Sequence, residues 1–214
     1  MGIWPTPGLS HKKRLPCIWF IGESFYPPSF ISLVRKARNW SILNSGNDII
    51  MRHKSGSIFN SNLRYCQLIM HEWTDWEKAY FPRLSLNGKT ILDVGAGCGE
   101  TALFFFRRGA RKVICIEKDQ SLLPFLTRNR ILNQWNMEII AEPFKLEHLS
   151  LLKFDYAKID IEGAESALLQ LDEINFPLCL EAHDKHLEIS FRKRGFETVW
   201  KMKKKDVVVM QNFG

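Results

Sequence analysis

Paired cysteines and long hydrophobic runs are both missing from this sequence. Its five cysteines are far apart and form no CxxC pair: Cys17, Cys66, Cys98, Cys115 and Cys179. This spacing argues against a zinc site and against a disulfide scaffold, and it predicts a reducing, cytoplasmic setting. No apolar run approaches the roughly 20 residues that a membrane-spanning helix needs. We therefore expect no membrane span.

A concentrated block of one charge is absent as well. The 30 lysines and arginines outnumber the 23 acidic residues and give a net charge of +7, but they are scattered in short groups. A plain solvated surface and an anionic partner such as RNA are both compatible with this distribution. An apolar content of 45% is ample for a core and excludes wholesale disorder. The length of 214 residues allows one full domain and an appendage.

Short apolar runs alternate with helix-like segments from Lys89 onward. The runs are KTILDVG, KVICIE, MEIIAE, YAKIDI, PLCLEAH, FETVW and DVVVMQ. This alternation predicts an α/β fold with a mostly parallel, Rossmann-like sheet covered on both faces. The last two runs are joined by the basic turn KMKKK without a helix, so we expect an antiparallel hairpin at one edge. The predicted sheet has seven strands, and its last strand is antiparallel.

The front of the chain has a different pattern. Turn signals in residues 44–47 and 54–56 separate short apolar runs and predict a small antiparallel meander. Residues 62–84 then show helical spacing ended by Pro82, with Trp73 and Trp76 one turn apart, either facing the core or forming an aromatic wall for a substrate. We interpret LPCIWFIG (15–22) as a strand or core segment because it lacks the cleavage site of a signal peptide. The predicted organisation is an extension over 1–88 and a main domain over 89–214.

The sequence ILDVGAGCGE, residues 91–100, is the strongest signal in the chain. A buried strand ends near Asp93, glycines at 95, 97 and 99 make a tight turn, and a helix begins around Glu100. Glycines admit positive φ and let the backbone approach a ligand, while a helix N-terminus presents free N–H groups. The acid precedes the glycines, unlike the GxGxxG pattern of dinucleotide sites. A carboxylate there suits a cationic ligand group and would repel a pyrophosphate, which disfavours a dehydrogenase.

A second acid, Glu117, ends the next predicted strand 24 residues after Asp93. In this place a carboxylate can accept hydrogen bonds from both hydroxyls of a ribose. The alternative is that Asp93 only caps the loop and that Glu117 is an ordinary charge at a strand end. The order and spacing of the two acids and the glycines favour a nucleoside-containing ligand.

With DVGAGCGE, CIEKD, KIDIEGAES and LCLEAH, the chain resembles the class I S-adenosylmethionine-dependent methyltransferases, and more narrowly the FkbM family. The resemblance covers roughly residues 41–211. It implies the seven-stranded methyltransferase fold and S-adenosylmethionine as the cofactor. It also implies a cofactor site. The methionine part would lie among Asp93, Gly95, Ala96, Gly97, Gly99 and Glu100. Glu117 and Lys118 would lie at the ribose, Glu142 would lie near the adenine, and Asp160 would be a further cofactor-binding residue.

Further polar residues follow the fourth and fifth predicted strands, whose carboxyl ends neighbour the glycine loop in the strand order of this family. Asp160 and Glu162 follow the fourth strand, and Glu181 and His183 follow the fifth. The ligand of an open parallel sheet lies at these ends, so we predict Asp160, Glu181 and His183 as catalytic residues. Acids and a histidine together could also hold a divalent cation, but we expect no metal. We interpret Glu165 as a helix-start acid that complements the helix dipole.

These expectations describe an enzyme that methylates an oxygen of a small-molecule or glycan-like acceptor, with the front region as the acceptor lid. Methyl transfer from a sulfonium is an in-line displacement, so the protein contributes mainly positioning and the exclusion of water. An RNA methyltransferase, favoured by the basic charge, is one alternative. A non-catalytic module that kept the cofactor fold is another.

Overall fold

The structure is a computed structural model that describes residues 39–45, 48–201 and 207–213. The predictions made for Cys17 and for segment 15–22 lie outside these ranges, as does most of the KMKKK turn. Strands β1 to β10 and helices α1 to α5 are numbered in chain order below.

The main sheet contains seven strands in the order β6-β5-β4-β7-β8-β10-β9. Their bounds are β4 Thr90–Val94, β5 Lys112–Ile116, β6 Met137–Ile140, β7 Tyr156–Ile159, β8 Leu178–Ala182, β9 Glu197–Lys201 and β10 Val208–Asn212. The strands β4 to β8 are parallel, whereas β10 is inserted between β8 and β9 and is antiparallel to both. The predicted α/β fold, with its seven strands and antiparallel last strand, is confirmed.

Helical segments connect these strands. They are α2 Glu100–Arg107, α3 Leu123–Asn133, α4 Glu147–Leu151, a 3₁₀ helix Ala164–Gln170 and α5 Lys185–Lys193. The segment AESALLQLDEI, which the sequence predicts as a helix, therefore forms only seven residues of 3₁₀ helix. Glu162 and Gly163, which precede it, adopt positive φ and form a turn after β7.

The front region folds as predicted into a three-stranded antiparallel meander and one helix. The strands are β1 Trp40–Ser45, β2 Asp48–His53 and β3 Ile58–Ser61, paired in that order. Helix α1 covers Leu63–Ala79 and begins where the Asn62 side chain accepts a hydrogen bond from the N–H of Tyr65. It ends three residues before Pro82, and Tyr80 forms its C-cap.

One apolar cluster joins the front region to the main sheet. Its buried members come from the meander and α1, from α2, and from the strands β4 and β5, and they include Phe59, Trp76, Phe104 and Cys115. Trp76 is buried and Trp73 packs edge-on against Phe104, which confirms the core-facing orientation of this pair. The boundary at residue 88 stays a prediction.

Amide side chains tie the meander to the glycine loop. Asn129 of α3 donates to the carbonyl oxygens of Asn60 and Cys98 and accepts from the N–H of Asn60. The edge of β3 is thus hydrogen-bonded to a helix of the main domain. No helix within the described ranges is long and apolar enough to cross a membrane.

Candidate functional site

The glycine loop between β4 and α2 is tightly constrained. Gly95, Gly97 and Gly99 adopt φ values of 74°, 56° and 91°, which side chains rarely tolerate. A Cβ on Gly95 would collide with the carbonyl oxygen of Asp160, and one on Gly97 would collide with the carboxylate of Glu100. Ala96 between them is fully buried. The loop therefore brings bare backbone against the end of β7, and its role as a ligand cradle stays a prediction.

Two acids organise the backbone amides of this loop. The Glu117 carboxylate accepts from the N–H groups of Gly97 and Asp119, each at 2.8 Å. Glu100 accepts from the N–H of Cys98 at 2.9 Å, and burial raises the pKa of Glu100 to about 8. A carboxylate has about four acceptor positions, so Glu117 keeps capacity for further donors such as ribose hydroxyls.

Asp93 lies beneath the loop and has no exposed surface. Its Oδ2 atom accepts from the Thr101 hydroxyl at 2.6 Å, and burial raises the pKa of this carboxyl. Its Oδ1 atom is 3.5 Å from Lys158 Nζ and has no hydrogen-bond partner among the residues that the structure describes. Asp93 thus supports the loop from below, with its Oδ1 turned toward Lys158.

Lys158 lies in the candidate site, although its sequence position did not single it out. Its Nζ atom is buried in the sheet at 3.1 Å from the Gly95 carbonyl oxygen and 3.6 Å from Asp160 Oδ2. Burial alone would lower the pKa of Lys158, but Asp93 and Asp160 raise it above its ordinary value. The available signal was a lysine within an apolar strand run next to an aspartate, because a buried lysine requires acidic partners.

Asp160, Glu165 and His183 lie together at the carboxyl ends of β7 and β8. His183 Nδ1 is 3.2 Å from Glu165 Oε1, and His183 Nε2 is 3.7 Å from Asp160 Oδ1. The close contact with the Glu165 carboxylate raises the pKa of His183 to about 9, so its imidazole is a cation at neutral pH. Glu162 also lies 3.7 Å from His183, although its side chain is 84% exposed.

Glu165 does more than start a helix. It lies in the first turn of the 3₁₀ helix as predicted, yet it is fully buried. Its carboxylate accepts from the N–H groups of Ile161 and Gly163, each at 2.9 Å. Burial alone would raise the pKa of Glu165, but the contact with His183 and the hydrogen bond from the Ile161 N–H outweigh it and lower the pKa. This carboxylate therefore shapes the turn that follows Asp160.

The same three side chains, Asp160, Glu165 and His183, could in principle surround a metal ion. One ligand-type atom of each lies within 4.8 Å of the others. Glu165 is already engaged with two amides and the charged His183, so its lone pairs are largely occupied. The absence of a metal stays a prediction.

Glu181 projects from β8 beside these groups and is paired with a residue of the front region. The buried Tyr80 hydroxyl donates a hydrogen bond to Glu181 Oε1. Burial, and next the charge of Asp160, raise the pKa of Glu181 to about 7. Tyr80 was not predicted, since its sequence position after α1 carries no sign of a partner some 100 residues away.

The two remaining predicted cofactor residues are more exposed. Glu142 follows β6 and pairs with His148 Nε2 at 2.8 Å and Lys145 Nζ at 3.4 Å. Lys118 follows Glu117 with an exposed side chain. The structure leaves both as predictions.

Carboxylates outnumber cations in the whole site. Six acids line the loop and the adjoining strand ends: Asp93, Glu100, Glu117, Asp160, Glu165 and Glu181. Two cationic groups lie among them, Lys158 and His183. Burial leaves Glu100 largely uncharged at neutral pH, but the remaining acids still exceed the two cations, and such a surplus attracts a cationic ligand group and repels an anionic one. This charge pattern is the main chemical property of the site.

No protein-family model matches the chain. An 82-residue segment, 38% of this chain, is 34% identical to Uncharacterized protein 158B of Sulfolobus islandicus rod-shaped virus 1 and covers 45% of that protein. The chain therefore matches less than half the length of this curated relative.

Several solved structures are similar to the chain. The ribosomal protein L11 methylase of Lactobacillus delbrueckii subsp. bulgaricus aligns over 66% of this chain and 78% of its own, with a TM-score of 0.52 and 19% identity. The fibrillarin of Aeropyrum pernix, in complex with natively bound S-adenosyl-L-methionine, aligns over 80% and 98%, with a TM-score of 0.49 and 11% identity. The first likeness shows that this chain has a Rossmann-like methyltransferase fold. Membership of the FkbM family stays a prediction.

Proposed function

We propose that the protein is an S-adenosylmethionine-dependent methyltransferase. The observation that carries the proposal is the surplus of carboxylates around a glycine loop, at the strand ends where this fold binds ligands. S-adenosylmethionine has an ammonium and a sulfonium and fits this charge, whereas the pyrophosphate of a dinucleotide does not. When bound, the cofactor supplies an activated methyl group.

The residues present fit this cofactor. Glu117 would accept the ribose hydroxyls with its remaining lone pairs, and the loop from Gly95 to Gly99 would take the methionine part against bare backbone. The carboxylate of Asp160 suits the ammonium, since its side chain is partly exposed and its Oδ1 has no hydrogen-bond partner among the described residues, while Asp93 would support the loop from beneath. Glu142 and Lys118 would lie toward the adenine and ribose.

For the acceptor we propose an oxygen of a small-molecule or glycan-like compound. An alcohol needs a base to remove its proton during attack. Glu181 suits this role because burial raises its pKa to about 7, close to physiological pH. His183 is a cation at neutral pH and would orient the acceptor rather than take its proton. Asp160 lies between them and would hold the acceptor or cofactor in place.

Calorimetric titration with S-adenosylmethionine and with NAD tests the cofactor assignment. Wild-type protein should bind S-adenosylmethionine and should not bind NAD at micromolar concentration. Glu117→Ala should weaken S-adenosylmethionine binding at least about tenfold, or about 1.4 kcal/mol. The exposed Glu147→Gln on α4 is the matched control and should leave the affinity unchanged. Equal affinity in Glu117→Ala, or a tight NAD complex, contradicts the assignment.

A tritiated-methyl assay over fractionated cell extract identifies the acceptor class. The expected result is label in a small-molecule or glycan fraction. The net charge of +7 favours RNA as the second candidate. Label in RNA, RNA that co-purifies with the protein and a steep salt dependence of binding would together support that candidate.

A further inference from the structure

The turn that follows α1 places Tyr80 against strand β8 of the main sheet. Phe81, which follows Tyr80, is fully buried with a φ of 53°, a left-handed conformation that reverses the chain at the end of α1. Its N–H lies 3.4 Å from the Sγ of Cys179 on β8. Cys179 and Glu181 are two residues apart on this strand and so point to the same face. The turn that docks Phe81 on Cys179 therefore also brings Tyr80 to Glu181.

Tyr80 and Glu181 differ in their access to the site. Tyr80 is 1% exposed, whereas Glu181 is only partly buried. The Tyr80 hydroxyl donates to Oε1 of Glu181, so this oxygen has a fixed partner from the protein. The charged groups that act on Glu181 are Asp160 and Lys158 from β7 and its end, Glu72 from α1, and His183 two residues along.

We propose that Tyr80 is a positioning residue that fixes Glu181 for proton removal from an acceptor hydroxyl. This inference rests on the proposed function. Tyr80 holds Oε1, and the acceptor proton passes to Oε2 as the acceptor oxygen attacks. With S-adenosylmethionine as the methyl donor, the electron pair of that oxygen would form the bond to the methyl carbon, and the pair of the broken carbon–sulfur bond would stay with sulfur as a neutral thioether. The front region thereby contributes to the catalytic arrangement, and its role as an acceptor lid stays a prediction.

A double-mutant cycle tests this inference. Tyr80→Phe removes only the hydroxyl, Glu181→Gln removes the base, and Tyr80→Phe with Glu181→Gln removes both. Tyr156→Phe is the matched control, because Tyr156 begins β7 at the strand end away from Asp160. The measurements are the rate of methyl transfer into the extract fraction that wild-type protein labels, the calorimetric Kd for S-adenosylmethionine, and the melting temperature.

Glu181→Gln should lower the rate at least about 100-fold, as expected for loss of a general base. Tyr80→Phe should lower it about tenfold, a smaller loss because the base remains but is less well held. In the Glu181→Gln background, Tyr80→Phe should have no further effect, since it acts through the lost carboxylate. The Kd for S-adenosylmethionine should stay within about twofold of wild type in every variant.

Four results would overturn the inference, and three of them concern the variants or the labelled product. Tyr80→Phe could retain full rate, its effect could multiply with that of Glu181→Gln, or the labelled product could carry its methyl group on nitrogen or carbon. Wild-type protein that binds S-adenosylmethionine but labels no fraction also overturns it. Wild-type protein that does not bind S-adenosylmethionine overturns the proposed function itself.

Discussion

Asp160 and Glu165 lie five residues apart, but their carboxylates have different surroundings. Asp160 faces the site, and its side chain is 25% exposed, between Lys158 and His183. Glu165 is completely buried and holds the turn after Asp160 through two backbone amides. Charge-removing substitutions at these two positions should therefore affect different properties.

Asp160→Asn should keep the fold and much of the cofactor affinity but lose most methyl transfer, because the amide keeps the shape and removes the charge. Glu165→Gln should instead lower the free energy of unfolding by about 1–3 kcal/mol, since a buried acceptor of two amides is weakened. Melting temperature, calorimetric affinity and turnover on both variants, with and without EDTA, provide the comparison. If Glu165→Gln is the stable but inactive variant, or if EDTA abolishes turnover, this division of roles is wrong.

At the scale of elements, the glycine loop is locked against the end of β7. A Cβ on Gly95 would overlap the Asp160 carbonyl oxygen, whereas one on Gly88 would meet no atom within 4 Å. The two glycines have nearly the same φ, 74° and 73°, so they differ in space and not in backbone conformation. Alanine substitutions at Gly95 and Gly88 therefore form a matched pair that differs only in the space around the added Cβ.

Gly95→Ala should lower S-adenosylmethionine affinity at least about tenfold because the loop or the β7 end must shift. Gly88→Ala should cost only the strain of a left-handed residue, about 1–2 kcal/mol of stability, with unchanged affinity. Calorimetry and thermal melting of both variants test this expectation. Equal affinities in the two variants would show that close packing of the loop is unimportant for binding.

The contact between β2 and α2 contains a titratable group. The buried His53 ring nitrogen Nδ1 lies 2.8 Å from Arg107 Nη1 and 2.9 Å from the Ser55 hydroxyl. Burial, followed by the charges of Arg107 and Lys54, lowers the pKa of His53 from 6.5 to about 4. The ring is consequently neutral in the folded protein under conditions where it is charged in the unfolded chain.

Because the folded pKa of His53 lies below the unfolded one, the unfolded state takes up the proton first as the pH falls. The contribution of neutral His53 to the free energy of unfolding is fully present above about pH 6.5 and is lost between about pH 6.5 and pH 4. We expect a loss of about 1–3 kcal/mol over this window. Urea unfolding should show that the free energy of unfolding decreases less between pH 7.5 and pH 4.5 for His53→Gln than for wild type. An equal decrease in the two proteins would exclude His53 as a source of the pH dependence.

At the scale of the whole molecule, the front region and the main sheet share one apolar cluster. Phe59, Trp76, Phe104 and Cys115 belong to it and come from both sides of residue 88. A shared core couples the unfolding of the two regions. We therefore predict one cooperative transition for the chain, with a calorimetric enthalpy equal to the van't Hoff enthalpy. Two resolved transitions in scanning calorimetry would instead support separate stability of 1–88 and 89–214.

The sequence alone was sufficient to predict the α/β fold, the seven strands and the glycine loop. These features depend on local patterns: apolar runs with period and length typical of strands, glycines at fixed spacing, and acids at strand ends. The order of elements along the chain then restricts how parallel strands can connect. For the same reason Asp93, Glu117 and Asp160 could be assigned to one edge of the sheet before any coordinates.

Only the tertiary structure decided which of these side chains face a ligand and which support others. Asp93 proved to lie beneath the loop, Glu165 to be buried, and Lys158 to sit between two acids. Tyr80 and Glu181 are far apart in sequence, and their contact depends on the turn at Phe81 and its packing on β8. Burial, pairing and pKa are set by the distances between elements, and local sequence patterns do not specify those distances.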